Sequence, residues 1–190
     1  YLLSPEWSME PGVYLADRNA KTMEKVLDYG FNVHFSASEE RIYYTSYEPE
    51  SKGTELELLS VNLGGEDQRK ILQGKMVTEY QLSPDGRWVA YTHQNNAYIA
   101  PLLETGRQQT VGTKTGGLPV AQVSSRAGEY LHWSADSRQL HWSHAATLFS
   151  RELNQAFSFL DGAPEELPKH VAEGLNLSFA TAADKPASTI

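Results

Sequence analysis

The chain has 190 residues, no cysteine, and 16 basic against 24 acidic side chains for a net charge of −8. Without cysteine there are no disulfides and no thiolate metal sites, and an acidic chain whose Lys and Arg are scattered is a poor match for a nucleic-acid groove. No apolar run approaches the roughly 20 residues needed to span a bilayer as a helix.

Taken in chain order, short alternating runs broken by Gly, Pro, Asn and Asp predict an all-β chain. Residues 12–17 and 23–29 read as the third and fourth strands of a blade whose first half is missing. A unit at residues 33–45 follows, then a loop with Pro49 and Gly53, a third strand at 56–61 and a fourth at 69–72. The next unit spans 80–92, with a hairpin signal at Asn95-Asn96, a third strand at 97–100 and a fourth at 108–111. The last unit spans 131–143 and continues into a third strand at 147–150. Beyond Leu153 the pattern changes: residues 154–160 suggest a helical turn and 161–168 a loop. Residues 175–179 alternate like a strand, which either completes the last blade or closes the ring with the first, and 180–190 read as a linker.

The three units align without gaps. A large apolar residue (Phe35, Leu82, Trp133) precedes a serine (Ser36, Ser83, Ser134), and these columns lie 47 and 51 residues apart. An aliphatic residue (Ile42, Val89, Leu140), an aromatic two positions on (Tyr44, Tyr91, Trp142) and a hydroxyl residue (Thr45, Thr92, Ser143) follow. Residues two apart share one face of a strand. Ser83-Pro84-Asp85-Gly86 is a tight turn, with Pro presetting φ and Gly supplying a positive one. In the third copy Ser137 replaces that glycine, and a left-handed conformation there would cost about 1 kcal/mol. Periods near this length belong to four-stranded propeller blades. The expected organisation is therefore an incomplete β-propeller of three to four antiparallel blades over 1–153. It comprises a partial blade at 1–30, blades at about 31–74, 75–116 and 117–153, and an extension at 154–190.

Ser83-Pro84-Asp85-Gly86-Arg87 followed by Val89 and Tyr91 resembles the repeat of TolB-like propellers, and related repeats occur in prolyl oligopeptidase-type peptidases. The likeness covers residues 14–153, with one full turn motif and two decayed ones. A narrower likeness joins 131–143, 157–167 and 183–186 to the last blade and lead-in of large bacterial amidohydrolases with a TolB-like N-terminal region. The resemblance implies a periplasmic or other extracytoplasmic location. It also implies a downstream metal-dependent (β/α)₈ barrel whose His-x-His ligands have no matching positions here, so no catalytic residue is carried over. The implied role is a non-catalytic accessory, gating or docking domain of a larger hydrolase; a TolB-like protein-interaction module is the alternative.

The remaining chemistry reads as structural. His132, His141 and His144 could ligate a metal, but His141 and His144 differ in strand parity and should face opposite ways. Ser36, Ser83 and Ser134 recur with the turn and lack a nucleophile-elbow pattern. Gly64-Gly65 and Gly116-Gly117 lack a phosphate-loop pattern and read as hairpin turns. Glu39-Glu40 and Glu165-Glu166 fall in turns and loops, where solvated carboxylates are ordinary. Tyr1, Trp7 and Tyr47 either mark a contact surface or pack between blades. No catalytic, metal or cofactor site is assigned. The expected partner is a protein, either the missing catalytic domain or another chain. End blades with unpaired edges and an apolar face would favour self-association, strand exchange, or closure by a strand near Leu177.

Overall fold

The computed structural model describes residues 10–19, 21–38, 40–103, 106–114, 117–168 and 175–176. Among the described residues there are fifteen strands: β1 Val13–Ala16, β2 Met23–Leu27, β3 Phe31–Phe35, β4 Arg41–Tyr47, β5 Glu55–Asn62, β6 Arg69–Lys75, β7 Val77–Leu82 and β8 Trp88–His93. They continue with β9 Asn96–Pro101, β10 Gln109–Thr110, β11 Ala121–Gln122, β12 Glu129–Trp133, β13 Gln139–His144, β14 Thr147–Glu152 and β15 Leu175–Asn176. Two 3₁₀ turns, Pro49–Ser51 and Leu153–Gln155, are the only helical elements among the described residues. The second falls at the start of the segment expected to be a helical turn.

The strands form separate sheets in sequence order: the pair β1-β2, then β3-β4-β5-β6 with β10 on its outer edge, then β7-β8-β9-β11, then β12-β13-β14-β15. Each is antiparallel apart from β10, which runs parallel to β6. These are propeller blades in an incomplete ring. The hairpin joining β8 and β9 turns through Gln94 and Asn95, both at positive φ, the geometry that suits the strands' twist.

One fourth strand differs from expectation. Residues 108–111 do not complete the second full blade; Gln109 and Thr110 lie beside Leu72 and Gln73 of the blade before. Val111 explains this, because its side chain is buried in the core shared by those two blades, and its N–H donates to the Gln73 carbonyl at 2.9 Å. The vacant place beside β9 goes to β11, held where Val123 is buried and the Ser124 hydroxyl accepts the Ala97 N–H at 2.8 Å. The C-terminal strand resolves the other way: Leu175 and Asn176 pair with Leu148 and Thr147, completing the last blade. Residues 177–190, including Leu177 and the expected linker, lie outside the described residues.

The repeat columns sort the cores. Ile42 and Tyr44 pack towards β1-β2 with Val13 and Val26, whereas Tyr43 between them faces the next blade. Val89 and Tyr91 face back and Trp88 and Ala90 forward, and Leu140 and Trp142 again face back. The aliphatic–aromatic pair of every unit thus packs on the preceding blade. Burying each large apolar side chain contributes about 1.5–3 kcal/mol, so the stack is held by its inter-blade layers. Phe35 departs from its column: Leu82 and Trp133 are buried, but Phe35 is 48% exposed. The sheet preceding it has only two described strands, too few to cover it.

Polar bonds fasten the same layers. Trp133 donates its indole N–H to the Gln81 carbonyl at 3.0 Å, and Tyr80 donates its hydroxyl to the Leu56 carbonyl at 3.0 Å. Ser137 does adopt φ 60°. Its buried hydroxyl accepts the Asp85 N–H of the neighbouring turn at 3.0 Å. A glycine there would relieve backbone strain but lose this tie between turns.

The outer face of the last blade carries polar residues beside Leu148 and the exposed Leu175. Where the earlier blades place Tyr43 and Ala90, it carries His141, flanked by Gln139 and Ser143. Gln139 donates to Glu152 at 2.8 Å and His141 pairs with Ser150 at 2.7 Å, each with the residue opposite it in β14. Cross-strand polar pairs of this kind stabilise the sheet that carries them.

Candidate functional site

The three repeat serines do the same structural work. Ser83 accepts the Trp88 N–H at 3.0 Å and donates to Asp85 at 2.5 Å. Ser134 accepts the Gln139 N–H at 2.9 Å and donates to Asp136 at 2.6 Å. Ser36 accepts the Arg41 N–H at 3.1 Å, with Ser38 beside it at 3.2 Å. In the third copy the Ser134 hydroxyl, then the Arg138 amide, hold the Asp136 carboxyl below the usual carboxylate range.

His132 and His141 are direct cross-strand partners, so their imidazoles share the open face of the last blade. His144 lines a cleft with Trp142, Phe149 and Arg126 on the opposite face, as parity requires. Among the described residues no group of three or more metal-ligating side chains converges. Glu40, Glu165 and Glu166 are exposed and Glu39 lies outside the described residues. Gly65 sits in the β5–β6 turn at φ +80°, but Gly117 lies on a connection between strands of different sheets rather than in a hairpin, and Gly116 is outside the described residues. Tyr47 is 40% exposed and tilts against Phe31 at 5.7 Å, while Tyr1 and Trp7 are outside the described residues.

A cavity of about 600 Å³, which no sequence motif announces, lies between the β4-β5-β6 sheet and the chain segment that follows β9. Its wall holds Arg41, Arg69, Lys70 and Arg107 together with Tyr43, Ile71, Leu103 and Gln108, and no described lining residue is acidic. Arg41 is fixed from behind: Nε donates to the Ser60 hydroxyl at 3.1 Å and one terminal nitrogen to Asp67 at 2.8 Å. Asp67 also accepts from Arg69 at 2.6 Å, and these guanidinium bonds, Arg69 first, hold its carboxyl below the ordinary range. Lys70 donates at 2.9 Å to the buried Glu57, which also accepts from Gln108 at 2.8 Å. The Glu57 bond raises the Lys70 pKa, so the ammonium stays charged. No local pattern could have found this site, because its residues come from four separate segments of chain.

A half-buried acid also ties two blades. Glu79 accepts the Leu131 N–H at 3.1 Å. Burial raises its pKa, opposed by the Leu131 and Tyr130 amides. A folded-state pKa above the unfolded one means that the folded chain holds the proton more tightly. Stability is therefore greatest below the ordinary Glu value and falls as pH rises through the raised one. Glu79→Gln keeps an acceptor oxygen but cannot ionise. Urea denaturation from about pH 4 to about pH 8 should show the wild-type midpoint falling relative to the variant; parallel curves would contradict this.

Successive antiparallel blades, each packing its aliphatic–aromatic column on the one before, define a β-propeller segment. No family model and no curated protein matches the chain. It is similar to the β-propeller domain of the Trilobed protease from Pyrococcus furiosus, described as having an open velcro topology, at 18% identity and TM-score 0.47 over 78% of this chain and 43% of that one. It is also similar to the β-propeller domain of Cps50 (Swd1) from Myceliophteria thermophila, at 10% identity and TM-score 0.47 over 88% of this chain and 54% of that one. For tricorn protease the figures are 13% identity and TM-score 0.45 over 90% of this chain and 20% of that one. The chain thus spans about half the length of the first two and a fifth of the third.

Proposed function

We propose that this chain is a non-catalytic propeller segment of a larger hydrolase of the amidohydrolase type, acting outside the cytoplasm to shield, gate or dock beside a catalytic domain. One observation carries the reading. The repeat serines are spent on turn bonds, and the candidate histidines divide between two faces of one sheet. The repeat serines of the described blades thus bond to turn groups rather than to a histidine. The Gln139–Glu152 and His141–Ser150 pairs on the outer face of the last blade support a protein-contacting surface there.

Reading the frame beyond Ile190 tests the proposal. A downstream barrel with His-x-His on its first strand is expected. That full-length protein should hydrolyse an amide or related bond, and this segment alone should not. A stop codon directly after Ile190 would overturn the accessory role and leave a TolB-like protein-interaction module.

A further inference from the structure

We propose that His132 and His141 form a two-imidazole site for a late divalent transition metal, with copper(II) bound most tightly. The site lies on the outer face of the last blade. It goes beyond the scaffold role and does not depend on it.

Strand register is the first argument. His132 of β12 and His141 of β13 are directly opposite partners in an antiparallel pair. That register places their Cβ atoms about 4.5–5.5 Å apart on one face of the sheet. Side-chain parity gives the same face independently. Leu131 and Trp133 flank His132, Leu140 and Trp142 flank His141, and all four are buried in the layer shared with the preceding blade. Two imidazole nitrogens that share one ion at about 2.0–2.1 Å stand roughly 3 Å apart. Side chains that start this close need only tilt towards each other to reach that distance.

Orientation is the second. The His141 Nδ1 lies 2.7 Å from the Ser150 hydroxyl, and Ser150 is the residue opposite His141 in β14. With the hydroxyl oxygen accepting, the proton sits on Nδ1 and Nε2 presents its lone pair. An oxygen partner on the far ring nitrogen is what fixes the tautomer and the direction of a metal-binding histidine. His132, His141 and Ser150 thus make one row across three strands, two ligands and one support.

Comparison with the other blades is the third. The same row holds His34 opposite Tyr43 in the first full blade and Gln81 opposite Ala90 in the second. Tyr43 and Ala90 are buried in the layers those blades share with the next, and the His34 ring stacks on Tyr43 at 5.7 Å. In the last blade the row carries two imidazoles instead, and His132 is exposed. Imidazole suits copper, nickel and zinc, and affinity along the first-row series peaks at copper(II). Structural metal sites are closed by four protein ligands. Two protein ligands leave further positions for water, so this site takes up and releases its metal without the fold depending on it.

The untagged full chain should be titrated with copper(II), zinc(II) and magnesium, and followed by electron paramagnetic resonance and amide spectra. The first copper(II) bound is expected to show hyperfine coupling to two imidazole nitrogens. Substoichiometric copper(II) should broaden the amides of residues 131–133, 140–142 and 149–151 before those of 41–47. Zinc(II) should shift the same residues with lower affinity, and magnesium should shift none of them. His132→Asn and His141→Asn should each lower copper(II) affinity by at least about tenfold, and Ser150→Ala by about tenfold. His144→Asn, which alters the opposite face, should leave the affinity unchanged. Three outcomes would overturn the proposal: broadening that begins elsewhere in the chain, coupling to a single imidazole, or an affinity that neither His132→Asn nor His141→Asn lowers. The first two are read on the wild-type chain, so they decide the matter even where a variant fails to fold. None of these outcomes bears on the reading frame beyond Ile190, so the scaffold proposal stands or falls separately.

Discussion

Replacing Trp133 with alanine is expected to destabilise the chain by about 3–5 kcal/mol, the range for removing a buried aromatic from a packed core. Trp133 is 3% exposed and sits in the layer between the second and third full blades, with Leu131, Leu140, Trp142 and Phe157. Its indole N–H also reaches across to the Gln81 carbonyl at 3.0 Å. Alanine therefore opens a cavity and removes a cross-blade donor at once. Trp133→Phe separates the two effects, since it keeps most of the ring and gives up the N–H. Its cost should be smaller, with about 1 kcal/mol of it from the lost hydrogen bond. Urea denaturation of both variants measures this. A Trp133→Ala loss below about 1 kcal/mol would mean that the two blades are not packed as described.

Gly65→Ala should cost about 2–4 kcal/mol, combining backbone strain with a steric clash. Gly65 lies at φ +80°, and a Cβ there would run into the Val26 carbonyl oxygen of the β1-β2 pair. Gly53 provides the control: its φ is +79°, and a Cβ there meets nothing within 4 Å. Gly53→Ala should therefore show only the strain of about 1 kcal/mol, and the difference between the variants reports the contact with β2. The damage should also be local. Hydrogen exchange should show amides of Val13–Ala16 and Met23–Leu27 losing protection in Gly65→Ala while those of Gln139–His144 keep theirs. Equal costs for the two glycine variants would show that β1-β2 does not dock on the β5–β6 turn.

Much of the fold was legible because its signals are local. Ser83 to Gly86 specifies a tight turn from four adjacent residues, and the structure bonds Ser83 to Asp85 and to the Trp88 amide accordingly. The pairs Ile42/Tyr44, Val89/Tyr91 and Leu140/Trp142 announce one strand face by their spacing, and each packs on the preceding blade. Residues 109–110 and 121–122 carry only two ladder positions apiece, too few for periodicity to tell which neighbour they join. Val111 and Val123 decide that by where their side chains are buried.

The sequence by itself determined the blade: the turn chemistry, the two-residue alternation and the repeat near 50 residues are properties of short stretches of chain. The tertiary structure alone decided which blade captures β10, that β15 completes the last sheet, and that Arg41, Arg69, Lys70 and Arg107 meet around one cavity. The physical reason is range. A strand face follows from bond geometry within a few residues, whereas these placements depend on buried slots and partners that distant segments create only after the blades have stacked.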